Sequence, residues 1–204
     1  MLRNLGLIAM ALIFTTSCTT TAARNLKDVT RVNADASFAF DDAVRNFSAT
    51  VTEFRRAITS FEFAVRNFET TKISFDTDDA FRSFDLARHA HIDAATAMNE
   101  ASFAQDIASQ AHETSQRSGL EFRRAQQELL LSPDPWENNR RIRSSAISAN
   151  NESVRIHNSA LVRFESTMSF FLDALETFNE WQNVFRYNMV LLSERIYDLR
   201  YVYD

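Results

Sequence analysis

The chain has 204 residues, 45% of them hydrophobic and 24% charged, and its formal net charge at pH 7 is −5. An acidic protein is a poor candidate for nucleic-acid binding, which needs an excess of lysine and arginine. With only two glycines and two prolines, the chain has too few turn-forming residues for the many loops of an all-β or α/β fold. Composition therefore predicts a helical protein that has no nucleic-acid partner.

The first part of the chain has the pattern of an export signal. Arg3 supplies a positive charge, and residues 5–14 form an apolar run too short to span a bilayer as a mature helix. Residues 15–17, Thr-Thr-Ser, lead to Cys18, the single cysteine of the chain. These residues resemble a bacterial lipoprotein signal peptide with its lipobox, in which the cysteine is lipidated and becomes the first residue of the mature protein.

Lipidation also accounts for the lone thiol, which cannot form an internal disulfide and is unusual in an exported protein. The resemblance implies an anchor of two or three acyl chains, palmitate among them, in the bacterial cell envelope. Thr19 stands where inner-membrane lipoproteins of enterobacteria commonly have aspartate, so the resemblance favours the outer membrane in a Gram-negative host. The alternative is an ordinary secretory signal with a cysteine nearby. The predicted parts are a signal peptide over 1–17, a lipidated cysteine and short linker over 18–27, and a folded region over 28–204.

The folded region carries a strict seven-residue repeat of phenylalanine. A period of seven keeps each side chain on the seam between supercoiled helices, so the repeat predicts a long coiled-coil helix over about 28–75. β-Branched residues follow four positions after the phenylalanines until Lys72 breaks their row. The two rows are Phe40, Phe47, Phe54, Phe61, Phe68 and Phe75, and Val44, Val51, Ile58 and Val65.

Two turn signals separate this helix from two more helices. Thr77 can cap a second helix over 78–131, whose first turn is acidic, as the helix dipole favours. Asp134 as a cap and Pro135 at the first helical position begin a third helix over 135–202. The chain is therefore predicted to run up, down and up again.

The second and third helices carry complementary seven-residue rows. Alanine dominates the second helix, where small side chains let a large partner approach, and antiparallel pairing sets Phe61 opposite Ala94. The rows are Ala80, Ala87, Ala94, Ala101, Ala108 and Ser115 in the second helix, and in the third Ile147, Val154, Leu161, Met168, Leu175, Gln182, Met189, Ile196 and Tyr203 beside Asn150, His157, Phe164, Phe171, Phe178, Phe185, Leu192 and Leu199. The predicted fold is all-α: an elongated, antiparallel three-helix coiled-coil bundle with a C-terminal helical overhang.

Polar residues interrupt the apolar rows at one position. Pairing the second helix with the third about the second turn sets His112 opposite His157 and Gly119 opposite Asn150. We interpret Asn150, His157 and His112 as a buried polar layer that fixes the register of the helices. The alternative is a metal site or a pH-responsive site, since histidine titrates near neutrality. Because no third metal ligand is evident, we expect no metal and no cofactor.

The same pairing places the start of the second helix opposite position 191, so the third helix continues beyond it. This overhang keeps an apolar, tyrosine-rich stripe, which is more typical of a contact surface than of a solvated helix end. The stripe comprises Leu192, Ile196, Tyr197, Leu199, Tyr201 and Tyr203. We expect it to mediate self-association or to bind a protein partner. The alternatives are a shifted register and a bent end that folds back over the turn at 76–79.

No pattern in the chain indicates catalysis, because no serine stands in a nucleophile elbow and no glycine-rich loop could hold a phosphate. The leading hypothesis is a non-enzymatic, lipid-anchored envelope protein whose helical rod acts as a spacer or an interaction scaffold. One alternative is an accessory subunit of an export or efflux assembly that docks through its coiled coil. Another is a carrier that binds a hydrophobic ligand within a loosened bundle.

Overall fold

The chain forms three α-helices. The computed structural model describes the backbone of residues 2–72, 77–131 and 137–202 and the side chains of residues 21–72, 78–131 and 140–197. The helices are α1 (Leu2–Thr71), α2 (Thr77–Leu131) and α3 (Glu137–Val202), and they pack against one another. The predicted all-α three-helix bundle is confirmed. Within the described residues, no helix has a stretch long and apolar enough to cross a membrane.

The first helix begins well before the predicted start at residue 28. It runs through the segment 18–27, which the sequence predicts to be a linker. Ala23 and Leu26 are buried there, at 8% and 0% exposure, in an apolar cluster with residues of the other two helices. The reason is visible in the repeat, because Leu26 and Asn33 continue the phenylalanine row by two further steps of seven before Phe40. The heptad pattern therefore extends into the segment that the sequence analysis assigns to a linker.

The helices form two compact units, each with a segment from every helix. The first unit comprises Met1–Val44 and Ile107–Arg163, and the second comprises Arg45–Asp106 and Phe164–Asp204. In both units α1 runs antiparallel to α2 and parallel to α3. In the first unit this follows from the side-chain hydrogen bonds of Asn25 with Glu128, Ser37 with Ser115 and Asn33 with Asn150.

Phenylalanines of α1 and α3 interleave in the second unit. We call this set the phenylalanine ladder; it comprises Phe47, Phe54, Phe61 and Phe68 of α1 and Phe164, Phe171, Phe178 and Phe185 of α3. Phe54 lies between Phe171 and Phe178, with ring centroids 6.1 and 5.7 Å away, and Phe61 lies in the same way between Phe178 and Phe185. The α1 members are fully buried. Each buried phenylalanine stabilises the fold by about 1.5–3 kcal/mol before entropy, and these tilted and edge-on geometries are the favoured ones for aromatic pairs.

The second helix packs against the ladder through small side chains. Ala87, Ala94 and Ala101 are fully buried, as the alanine row predicts. The rings of α1 also contact side chains of α2 that lie three residues before the predicted alanines. Phe68 contacts Phe84, and Phe61 contacts His91. A half-buried row of larger side chains therefore lies beside the alanines. Its members are Phe84, His91, Met98, Gln105 and His112.

One of the two predicted rows of α3 does not lie in the core. Val154, for example, is 46% exposed, and its row is otherwise half-buried where its side chains are described. The buried row lies one residue earlier along the helix. It consists mainly of small side chains because the phenylalanines already fill the seam: Ala146, Ser153, Ala160, Thr167, Ala174 and Asn188.

The tight packing of α2 can be tested by enlarging one alanine. Ala94 is fully buried, with 0% of its surface accessible, and lies one turn from His91, whose ring contacts Phe61. We expect Ala94→Leu to lower the free energy of unfolding by about 1–3 kcal/mol, because extra methyl groups overpack a closed core. The same residue introduced by Asn99→Leu, at an exposed position of α2, should cost much less. Urea unfolding compares the two variants, and equal midpoints would contradict the packing of α2.

Candidate functional site

A layer of polar side chains crosses the first unit. We call it the polar layer; it comprises Asn33 and Ser37 of α1, Ser115 and Ser118 of α2, and Asn150, Ser153 and His157 of α3. Asn33, Ser37, Ser115 and Ser153 are 3% exposed or less. Buried polar groups need hydrogen-bond partners, since an unsatisfied group costs about 1–3 kcal/mol. The layer therefore has to be read as a bonded network.

Asn33 joins the three helices. Its Nδ2 donates to Asn150 Oδ1 on α3 at 3.0 Å, and its Oδ1 accepts from Ser118 Oγ on α2 at 3.1 Å. Its backbone carbonyl accepts from Ser37 Oγ at 2.9 Å. Sequence analysis missed Asn33 and Ser37, although both interrupt repeating rows: Asn33 lies seven residues before Phe40, and Ser37 lies seven before Val44.

The structure brings His112 and His157 together. Their rings stack with centroids 5.1 Å apart and planes at 23°, and Phe40 contacts both rings. Ser115 Oγ lies 2.8 Å from His157 Nδ1. Gln116 Nε2 donates to His112 Nε2 at 2.9 Å, which places the ring proton on Nδ1, a buried atom with no hydrogen-bond partner among the described residues. The role of Asn150, His157 and His112 as a register-fixing layer stays a prediction.

Electrostatics favour the neutral form of His157. Burial, and second the positive charge that His112 can carry, hold the pKa of His157 below its ordinary value. In the second unit, burial and the charge of Arg186 likewise lower the pKa of His91. That ring accepts from Gln182 Nε2 at 2.8 Å and stacks on Phe178. Sequence analysis did not single out His91, which is half-buried between the helices.

A cleft of about 440 Å³ lies beside the polar layer. It is lined by Asn33, Ser37, Ser115, Gln116, Gly119, Leu120, Arg123, Asn150, Ser153, Val154, His157 and Asn158. Gly119 and Asn150, which the helix pairing sets opposite each other, both contribute to it. Among the described residues, no group of three or more His, Cys, Asp or Glu side chains could hold a metal ion. The lining instead offers amides, hydroxyls, one imidazole and one guanidinium.

The cleft lies where each of the three helices has a smaller or polar residue in place of a large one in its repeating row. Asn33 replaces phenylalanine in the α1 row, Asn150 precedes His157 and the phenylalanines in the α3 row, and Gly119 follows His112 in the half-buried α2 row. A Cβ added at Gly119 would meet one described atom within 4 Å, Asn33 Oδ1 at 3.7 Å, which is an ordinary contact. Packing therefore does not require this glycine, which costs a helix interior about 1 kcal/mol relative to alanine.

A second cluster of polar side chains joins the end of α1 to α3 in the second unit. Lys72, the residue that breaks the β-branched row, donates from Nζ to Asn188 Oδ1, and its carbonyl accepts from the Arg195 guanidinium. Asn188 is fully buried, and its Nδ2 has no hydrogen-bond partner in the described part of the chain. Thr71 and Ser83 share a further hydrogen bond beside it. These bonds place the end of α1 against residues 188–195 of α3.

The predicted contact surface at the end of α3 is partly described. Leu192 is buried at 8% exposure, Ile196 is half-buried and Tyr197 is 60% exposed. The side chains of Leu199, Tyr201 and Tyr203, and that of Cys18, lie outside the described residues. Sequence analysis missed Tyr187 and Val190, which are 63% and 53% exposed. Spacings of three and seven residues put both on one helix face with Tyr197.

The chain was compared with known proteins at three levels. No protein-family model, no curated protein and no solved structure matches it. Functional inference therefore depends on the residues and contacts described above.

The lowered pKa values of His91 and His157 predict that stability depends on pH. Between those values and the ordinary 6.5, the unfolded chain binds more protons than the folded one, so the free energy of unfolding rises with pH. We expect the urea midpoint to fall as the pH is lowered from about 7.5 through 6.5. The double variant His91→Gln, His157→Gln should lose part of this dependence, whereas His89→Asn, at an exposed position, should retain it. An unchanged pH dependence in the double variant would refute the prediction.

Proposed function

We propose that this protein is a non-enzymatic lipoprotein of the bacterial cell envelope, in which the three-helix bundle is a scaffold that binds a protein partner or a second copy through the end of α3. The observation that carries the proposal is the exposed apolar face formed by Tyr187, Val190 and Tyr197. The lipobox resemblance around Cys18 supplies the anchor. The lipid anchor and the binding face at the end of α3 are independent parts of the proposal, and an experiment can refute either one alone.

The position of this face supports a role in binding. The end of α1 bonds to α3 at Asn188 and Arg195, and α3 then continues to Val202. Tyrosine combines a large apolar ring with a hydroxyl that tolerates water, and for that reason it is enriched at protein interfaces and among residues that dominate binding energy. Single exposed apolar residues are normal on a protein surface, whereas three on one helix face form a patch. We name this patch the α3 end face.

A second candidate function is docking along α2, as in an accessory subunit of an export or efflux assembly. Phe81, Ile92 and Phe103 are 48%, 48% and 68% exposed and recur every eleven residues. Eleven residues make three helical turns, so these side chains lie on one face of α2 in the second unit. An amphipathic helix of a partner could pack along such a stripe.

The anchor is tested at Cys18. We expect the parent protein to be recovered from the membrane fraction with Cys18 acylated and residues 1–17 removed, as measured by intact mass. Cys18→Ser should block processing or release the chain from membranes, because the thiol is the acylated group. Thr20→Ser, two residues away, is the control and should behave as the parent does. An unmodified Cys18 in protein extracted from membranes would end the lipoprotein interpretation.

The α3 end face is tested by replacing its exposed side chains while Leu192 stays in the core. We expect the triple variant Tyr187→Ser, Val190→Ser, Tyr197→Ser to weaken self-association or partner capture at least about tenfold, since buried aromatic anchors dominate interface energies. Sedimentation velocity measures self-association, and crosslinking in intact cells followed by pull-down measures capture.

A matched control carries three equally exposed apolar residues elsewhere, Phe63→Ser, Leu86→Ser and Leu172→Ser. It should assemble as the parent does. If the control and the α3 variant lose assembly equally, or if neither does, the α3 end face is not the interface. Loss of capture only in Phe81→Ser, Ile92→Ser, Phe103→Ser would favour docking along α2 instead.

A further inference from the structure

The cleft beside the polar layer is larger than a register-fixing layer needs. Asn33 already bonds to Asn150 and to Ser118 across the three helices, and protein interiors normally close over such bonds without leaving space. The cleft measures about 440 Å³, within the size range of small-ligand sites, which are concave and carry a few converging polar groups. Its volume therefore calls for a separate explanation.

Gly119 is the second, independent observation. It lies in the interior of α2, where glycine is unfavourable, and an added Cβ would meet only Asn33 Oδ1 within 4 Å, at a comfortable 3.7 Å. Neither close helix packing nor an unusual backbone conformation explains it, since no glycine in the described chain has a positive φ. Because Gly119 has no side chain, this part of the cleft stays open.

The serine hydroxyls of the lining give their protons to other groups of the protein. The hydroxyl protons of Ser37 and Ser153 are given to the backbone carbonyls of Asn33 and Ala149, at 2.9 and 3.0 Å. With the Ser37 proton given to Asn33, Ser115 donates to Ser37 in their 3.3 Å bond, so His157 Nδ1 donates to Ser115 at 2.8 Å.

Two further donors line the cleft without a partner. Within the described part of the chain, neither Asn150 Nδ2 nor the Arg123 guanidinium has a hydrogen bond or an ion pair. The lining contains no aspartate and no glutamate. A site with a guanidinium, an amide N–H donor and no carboxylate is complementary to an anion.

We propose that this cleft binds a small free oxyanion, a molecule with a carboxylate or phosphate group, with Arg123 as its ion-pair partner and Asn150 as a hydrogen-bond donor. The site lies wholly within the first unit, and it requires neither the lipid anchor nor the α3 end face.

The glycine content of the chain gives a direct probe of the cleft. The full chain has two glycines, Gly6 and Gly119, so a Gly6→Ala variant labelled with ¹⁵N-glycine has one labelled amide, and that amide lines the cleft. In neutral detergent we expect its resonance to shift in a saturable manner on addition of inorganic phosphate or, separately, acetate. Sodium chloride at equal ionic strength should give no saturable shift. The tighter of the two anions identifies the preferred group.

Arg123 is tested against a matched arginine of the same helix. Arg123→Gln should weaken anion binding about tenfold or more, because charge-assisted bonds are the strong ones in such a site. Arg117→Gln, which removes an exposed arginine paired with Glu113 outside the cleft, should leave the affinity unchanged. Equal affinities of the two variants, or a resonance that responds to neither anion or equally to chloride, would overturn the proposal.

Gly119→Ala provides a second readout that does not need the labelled glycine. We expect its melting temperature without added anion to be higher than that of the parent, because alanine favours the helix and the Cβ has room. The rise in melting temperature that the preferred anion gives the parent should be lost in the variant. A variant that melts lower than the parent, or that keeps the full rise, would show that the glycine serves packing and not a ligand.

Discussion

The interleaving of phenylalanines from α1 and α3 is the constraint on which the rest of the second unit depends. A ring such as Phe54 fits between Phe171 and Phe178 only if the two helices run parallel with a fixed offset. Once the rings fill that seam, the neighbouring row of α3 carries mostly small side chains such as Ala174, and α2 buries alanines such as Ala94. One aromatic repeat therefore determines where small residues must lie on both other helices.

In the first unit, polar side chains replace the aromatic rings of the seam step by step along the repeat. Phe40 still lies in the seam, and there its ring contacts the imidazoles of His112 and His157. At the next position of the repeat the ring itself is replaced by Asn33, whose amide bonds to both other helices. The change from apolar packing to directed hydrogen bonds accounts for the open space in this part of the bundle. Polar groups satisfy their partners at set angles and cannot expand to fill a gap.

Much of the fold could be predicted because a seven-residue period is a local pattern. It correctly indicated three helices and the burial of Phe61 and Ala94. Periodicity indicates which face of a helix is buried, but not which neighbouring helix supplies the contact. The sequence therefore paired Phe61 with Ala94 alone. In the structure the Phe61 ring also contacts the rings of Phe178, Phe185 and His91. The histidine pair followed from folding α2 onto α3 about one turn. No turn joins α1 to α3, so nothing local in the sequence aligns Asn33 with Asn150, and the cleft could not be derived before the structure was known.

Asn33 has a consequence for how the chain reaches its native state. A ladder of identical rings is nearly unchanged when one helix slides past another by one repeat, and such a slipped bundle would bury almost as much apolar surface as the correct one. In the slipped arrangement Asn33 would face a partner that cannot complete its bonds, at a cost of about 1–3 kcal/mol for each polar group left unsatisfied. We therefore expect the polar layer to distinguish the correct alignment from slipped ones. In that role it would let a repetitive sequence, which could otherwise stall in several near-equal traps, favour a single assembly.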